Sequence, residues 1–251
     1  MDRKKFLLSS VTAITGFTCA GVLKSYGDTT NDNKQVLQHN KEVNIINAGI
    51  SGNTTKNLLL RVQNDCLAHK PDLTIMMVGT NDMNNGKYVP LDKYSQNLST
   101  LIKAITNSGS KLLMLSILPF YEPYLLTRHP ADFFQPEGPS GRRKAVNETI
   151  KEVADKHKVS FFDIGTIFEK VGKIGTDKDS LIRNENNSGK TDGVHPTPNG
   201  YRLLATAVSQ FIQYNNLPTT GNIVCFGDSI TRGDGSVDKE SYPAYLKRLL
   251  Q

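Results

Sequence analysis

Cysteine is scarce in this chain, three in 251 residues, which excludes a small fold held together by a disulfide framework. No apolar run reaches the roughly 20 residues that a transmembrane helix needs, so a polytopic membrane protein is excluded as well. Glycine and proline, at 20 and 11 residues, are too sparse for a collagen-like chain. No fixed-period repeat and no low-complexity block is present. The glycines of 227–235 lack the spacing of a phosphate loop, and no Lys-Ser/Thr pair follows them. Neither an H-E-x-x-H helix nor a cysteine pair points to a metal, and no cofactor is expected. What remains is a chain long enough to bury a sizeable core, 37% hydrophobic and 22% charged, with mean hydropathy −0.38.

The formal charge of +6 raises nucleic acid as a partner until its location is considered. Arg3, Lys4, Lys5 and Lys24 against Asp2 place +3 of it in the first 27 residues. There a basic opening precedes a modest apolar stretch diluted by Ser and Thr, which reads as a cleaved signal peptide over 1–27 with a polar linker over 28–40. Arg3-Lys4-Lys5-Phe6-Leu7 resembles a twin-arginine export signal with Lys in place of the second Arg. Cys19 sits in a poor lipobox, so an ordinary cleaved signal is preferred to a lipid anchor. The exported remainder, 41–251, is mildly basic. Its Arg142-Arg143-Lys144 cluster reads as a solvated first turn of a helix, so nucleic-acid binding is not expected. Cys66 and Cys225, the latter within an apolar run, read as buried free thiols rather than a disulfide. His39, His69, His129 and His157 stand in polar surroundings and read as surface residues.

Short apolar, β-branched runs at 43–47, 73–78, 111–117, 159–163 and 222–226, bounded by Gly, Pro or Asn, read as buried strands. Between them, 53–68, 91–107 and 140–157 carry apolar residues three and four apart, as in Leu98, Leu101, Ile102 and Ile105, and read as helices. Thr197-Pro198 announces a fourth helix reaching about residue 214, and a last one spans 241–251. Strand and helix alternate, so the expected fold is one α/β domain with a parallel sheet covered on both faces.

In such folds, ligands gather at the carboxyl ends of the strands. The segments found there are Gly227-Asp228-Ser229-Ile230, Ile50-Ser51-Gly52-Asn53, Gly79-Thr80-Asn81-Asp82 and, before the fourth helix, Asp192-Gly193-Val194-His195. A serine hydroxyl needs a base within hydrogen-bond reach, histidine suits that role near neutral pH, and a carboxylate orients the imidazole. Taken singly, each residue has a plainer reading. Ser229 also fits a helix cap, Asn81 and Asp82 fit turns, and His195 before Pro196 fits a solvated loop.

Together the four segments resemble the SGNH, or GDSL, family of esterases and lipases, over nearly all of the chain after residue 40. The resemblance implies Ser229 as nucleophile, His195 and Asp192 as its partners, and the Ser229 and Gly52 N–H groups with the Asn81 amide as the oxyanion hole. It also implies a flavodoxin-like three-layer fold with a five-stranded parallel sheet. The α/β-hydrolase elbow does not fit, because Thr231 stands where its last glycine should be. In the family the serine block comes first, whereas here it comes last. Moving 222–251 in front of Val43 restores the family's order, so a circular permutation is expected, with 222–226 as the central strand of a 2-1-3-4-5 sheet. It requires Gln251 and the 40–43 region to be neighbours in space.

The connection 119–140 is long and holds Phe120, Tyr121, Tyr124, Phe133 and Phe134. It reads equally as a binding loop and as a flap packed on its own aromatics. Tyr121, Tyr124, Asp82 and Asp228 are the candidates for contact with substrate. The expected activity is hydrolysis of small-molecule or glycan acyl esters through an acyl-enzyme, with short acyl groups such as acetyl on carbohydrate preferred. A lipase, lysophospholipase or thioesterase of the same family is the alternative. A glycan-binding or cell-surface protein without turnover is the alternative of another class. Oligomeric state is not legible in the sequence.

Overall fold

Five strands, β1 (Val43–Gly49), β2 (Leu73–Met77), β3 (Lys111–Leu115), β4 (Ser160–Phe162) and β5 (Gly221–Gly227), pair in parallel in the order β1-β5-β2-β3-β4. They belong to a computed structural model that describes residues 42–235 and 240–251. The signal peptide, linker, Cys19 and His39 assignments therefore lie outside the described residues. The helices are α1 (Thr55–Asp65), α2 (Leu91–Asn107), α3 (Glu122–Leu126), α4 (Gly138–His157), α5 (Ile164–Val171), α6 (Glu185–Ser188), α7 (Pro198–Tyr214), α8 (Ser229–Arg232) and α9 (Tyr242–Leu250).

The alternation of side chains along each strand builds the layers. In β2, Met76 faces a core shared with Leu58 of α1, Leu98 and Ile102 of α2 and Val146 and Ile150 of α4. Its neighbours Ile75 and Met77 face the other core, with Phe168 of α5, Leu204 and Val208 of α7 and Leu246 of α9. Every residue of β2 is buried. This is why the strand reads as an apolar run interrupted only by Thr74, whose hydroxyl is bonded to Ser110, as expected of a parallel strand covered on both faces.

The last strand in the chain, β5, lies between β1 and β2, and Ile223 to Gly227 are buried there. The Gly221 N–H donates to the Glu42 carbonyl at 3.0 Å, and α9 packs against β1. The long helices that follow β5 and β2, α9 and α2, pack on opposite faces of the sheet, so the carboxyl ends of these neighbouring strands open a crevice where a ligand can enter.

Cys66 and Cys225 are free and buried. Burial pushes the Cys225 thiol up to about 12, which leaves it inert. Among the described residues, no helix is long and apolar enough to cross a membrane.

The Arg142-Arg143-Lys144 cluster is not a solvated turn. Arg142 is 8% exposed, bonded to Glu137 and stacked over the rings of Tyr88, Phe133 and Phe134. Arg143 pairs with Glu169. Only Lys144, weakly paired with Glu148, behaves as a surface charge. A guanidinium buries readily when it has both a carboxylate and aromatic faces to meet. Two histidines also depart from the surface reading: His129 and His157 are half-buried, whereas His69 is exposed.

Candidate active site

β5 ends at Gly227, and the chain turns at once into the short helix α8. Asp228 caps that helix, its Oδ1 accepting the Ile230 N–H at 3.0 Å. Ser229 is thereby the first helical residue, half-buried at the mouth of the crevice. β1 ends in a turn in which the Ile50 N–H donates to the Gly227 carbonyl at 3.1 Å, which ties it to the serine turn. Gly52 within that turn has φ +76°, a left-handed conformation that other residues adopt only with strain. After β2, the Asn81 amide donates to the Asn53 carbonyl at 3.0 Å and more weakly to Asp228 Oδ2 at 3.4 Å. Three strand ends are thus bonded to one another at their tips.

His195 arrives from the segment before α7. That segment runs antiparallel to 181–183. Arg183 N–H donates to the His195 carbonyl, and Gly193 N–H donates to the Arg183 carbonyl, both at 2.9 Å. Thr197 N–H reaches the Leu181 carbonyl at 2.8 Å, and Thr197 caps α7. Gly193 has φ +72°, and a Cβ there would meet Tyr124 Cβ at 2.7 Å. Glycine is therefore required by both the turn and the close packing.

The outcome is a chain of hydrogen bonds. His195 Nε2 lies 3.0 Å from Ser229 Oγ, and Nδ1 lies 2.9 and 3.0 Å from the two Asp192 oxygens. Asp192 Oδ1 also accepts the N–H groups of Val194 at 3.0 Å and His195 at 2.9 Å. Burial opposes ionisation of Asp192, but the His195 ring and these N–H groups outweigh it and hold the carboxyl at about 2. A ring that carries its proton on Nδ1 toward Asp192 leaves Nε2 to accept the serine proton.

Ser229, His195, Asp192, Asn81 and Gly52 line one cleft of about 310 Å³ with Thr80, Asn84, Leu125, Arg128, His129, Val194 and Asp234. The other sequence candidates lie elsewhere. Asp228 and Asp82 are each 1% exposed and bonded inward. Asp82 Oδ1 accepts both the N–H and the hydroxyl of Thr55. Burial pushes Asp228 up to about 7 and Asp82 up to about 6. Tyr121 and Tyr124 stack edge-to-face behind the histidine loop, where the Tyr121 N–H donates to the Gly193 carbonyl and the Tyr124 hydroxyl to Glu185. Neither lines the cleft, to which the 119–140 segment contributes Leu125, Arg128 and His129 instead. Their spacing of three and four residues is that of one helical face, and reading 122–129 as helical turns would have found them. Among the described residues, no group of three His, Cys, Asp or Glu side chains is arranged to hold a metal ion.

The model of the GDSL-like Lipase/Acylhydrolase family matches residues 9–203. The chain belongs to the GDSL-like lipase/acylhydrolase family. It is therefore an ester hydrolase. An uncharacterized lipoprotein, YqeF of Bacillus subtilis (strain 168), is 33% identical over 178 residues, covering 64% of this chain and 70% of that protein. An acetylxylan esterase of Geobacillus stearothermophilus is 26% identical over 176 residues, covering 66% of this chain and 70% of that one. The crystal structure of the acetyl xylan esterase AlAXEase superposes with a TM-score of 0.53 at 23% identity, over 66% of this chain and 79% of that one, and shares the fold.

One residue outside the four sequence segments helps hold the crevice together. Arg61 of α1 donates to the Gly227 and Ala48 carbonyls at 2.7 and 2.9 Å and to Asn53 Oδ1 at 2.7 Å, while stacking over Phe226. Its role has no local signature, because its partners come from the ends of β1 and β5, which are far apart in the chain.

Proposed function

We propose that this hydrolase is a serine esterase that removes short acyl groups, acetyl above all, from carbohydrate through an acyl-enzyme. The observation that carries the reading is the Ser229–His195–Asp192 hydrogen-bond chain in the same small cleft as Gly52 and Asn81. Ser229 Oγ attacks the ester carbonyl as His195 takes its proton. The oxyanion is met by the Ser229 and Gly52 N–H groups and the Asn81 amide. The protonated ring then gives its proton to the leaving alcohol, and water repeats the sequence on the acyl-enzyme. A cleft of about 310 Å³ with Leu125 and Val194 among its walls suits a short acyl group, and the relatives named as acetylxylan esterases point to carbohydrate esters. The test is hydrolysis of a chromogenic acetate ester by wild type and by Ser229→Ala, followed by a chain-length series. Equal rates from the two proteins overturn the mechanism, and a preference for long acyl chains overturns the substrate class.

We further infer that the chain is a circular permutation of the family's order, with a signal peptide at 1–27, a linker at 28–40 and the hydrolase domain at 41–251. Three observations support the permutation. The strand before Ser229 is last in the chain yet central in the sheet. The final helix α9 packs against the first described strand β1. The family match, over residues 9–203, leaves out the serine block, although it also takes in residues of the proposed signal peptide and linker. Export is supported by the basic opening of the chain and by the lipoprotein name of the Bacillus relative. The N-terminal residue of protein recovered from the culture medium or cell envelope tests it.

A further inference from the structure

A second, wider hollow of about 630 Å³ shares Gly52 with the catalytic cleft. Two lysines, Lys56 and Lys87, line it together with Asn53, Asn57 and Tyr88. No carboxylate of the described residues lies within ion-pair distance of either ammonium, whereas Lys144, Lys151 and Lys173 each have one. Lys87 Nζ donates instead to a neutral acceptor, the Gly52 carbonyl, at 2.9 Å. Lys56 stands in the first turn of α1, a turn without an acidic residue, where the helix dipole disfavours a positive charge. Asp82, whose carboxyl feels the Lys56 charge, is buried and occupied by Thr55. Both cations that line the hollow are therefore left without a carboxylate partner among the described residues. Tyr88 adds a ring that is 40% exposed, and the Arg142 guanidinium packed on it fixes its place.

We propose that this hollow is a subsite for a carboxylate-bearing sugar next to the acylated one, so that the preferred substrate is an acylated acidic glycan. Lys56 and Lys87 meet the carboxylate, Asn53 and Asn57 offer hydrogen bonds to hydroxyls, and Tyr88 gives a flat amphipathic surface to a sugar ring. Because Lys87 is bonded to the residue assigned as an oxyanion donor, the charge is met within about one sugar unit of the reacting carbonyl. The proposal rests on the esterase reading above and adds the sign of the substrate's charge.

The test uses the full-length protein and a matched pair of substrates: an acetylated oligosaccharide with one uronic acid residue, and the same compound with that carboxyl reduced to a primary alcohol. Wild type is expected to favour the acidic form by about tenfold in kcat/KM at low salt, with the preference shrinking as salt screens the charges. The double variant Lys56→Gln/Lys87→Gln is expected to erase the ratio, and Lys56→Gln alone to cut it by about threefold. The ratio between substrates is the readout, so any general loss from disturbing the Gly52 turn cancels. Equal turnover of both forms by wild type, or a ratio unchanged in both variants, overturns the subsite and leaves the esterase reading standing. Turnover of neither form, with simple acetate esters also inert, overturns the esterase reading itself.

Discussion

Arg61→Met is the substitution that most directly probes how the crevice is assembled. The wild-type Arg61 side chain is 12% exposed, and its guanidinium makes contacts to Gly227, Ala48 and Asn53 at 2.7–2.9 Å, with Asp65 at 3.1 Å. Burial lowers its pKa against the pull of Asp65, so part of what the contacts supply offsets desolvation. Methionine keeps the stem over Phe226 but leaves the Asn53 and Ala48 oxygens without this donor. The Gly227 carbonyl keeps Ile50 as a partner. Charge-assisted bonds contribute about 1.5–3 kcal/mol each and do not add fully, so a net loss of about 3 kcal/mol is expected. The Asp65 pair is half-open to solvent and contributes little of it. Because Asn53 in turn receives the Asn81 amide, kcat on an acetate ester should fall about tenfold or more even where the variant is fully folded. Arg61→Lys should recover less than half of either loss, since a point donor does not replace a fork. Urea unfolding followed by circular dichroism, with kcat measured well below the transition, reads both quantities. A variant within about 0.5 kcal/mol of wild type and with unchanged kcat would refute the reasoning.

Asn81→Ala should lower kcat by about a hundred- to a thousandfold with a much smaller change in KM; an effect confined to KM would remove Asn81 from the oxyanion hole. Asp228, raised by burial to about 7 from about 3.9 in the unfolded chain, keeps its proton in the folded state across that interval. Its contribution therefore falls as pH rises from about 4 to about 7. Asp192, held at about 2, contributes above about 3.9 and loses that contribution as pH falls toward 2. His129 and His157, both lowered by burial, act oppositely to Asp228 below neutrality, so the measurement is a difference. Between pH 5 and pH 8, the stability of Asp228→Asn relative to wild type should improve by on the order of 2 kcal/mol, and a flat difference in urea midpoints would disprove the shift. A chain reordered to begin at Gly221, with Gln251 joined to the start of β1, should fold and keep its activity. A version lacking 222–251 should show no cooperative unfolding, and cooperative folding of that truncation would contradict a central β5.

Much of the architecture was legible because it is written in periods. The five apolar runs and the long helices α2, α4 and α7 carry patterns that persist over many residues. The short helices α3, α5, α6 and α8 do not, being four to eight residues long, too few turns for a periodicity to register. The 119–140 connection was legible as long and aromatic, but its two tyrosines lie behind the histidine loop and its cleft residues went unread. Arg142 looked solvated because a row of charges gives no hint of the Tyr88, Phe133 and Phe134 rings that surround it.

By itself, the sequence determined the alternation of strand and helix and the residue types offered at each strand end, since both are set by local chemistry. The place of β5 between β1 and β2 has no local signature and was expected only from the family resemblance, because parallel neighbours are joined by hydrogen bonds between segments far apart in the chain, which the tertiary structure supplies. That insertion places the Ser229 hydroxyl 3.0 Å from a histidine 34 residues earlier and brings the Gly227 and Ala48 carbonyls together on Arg61.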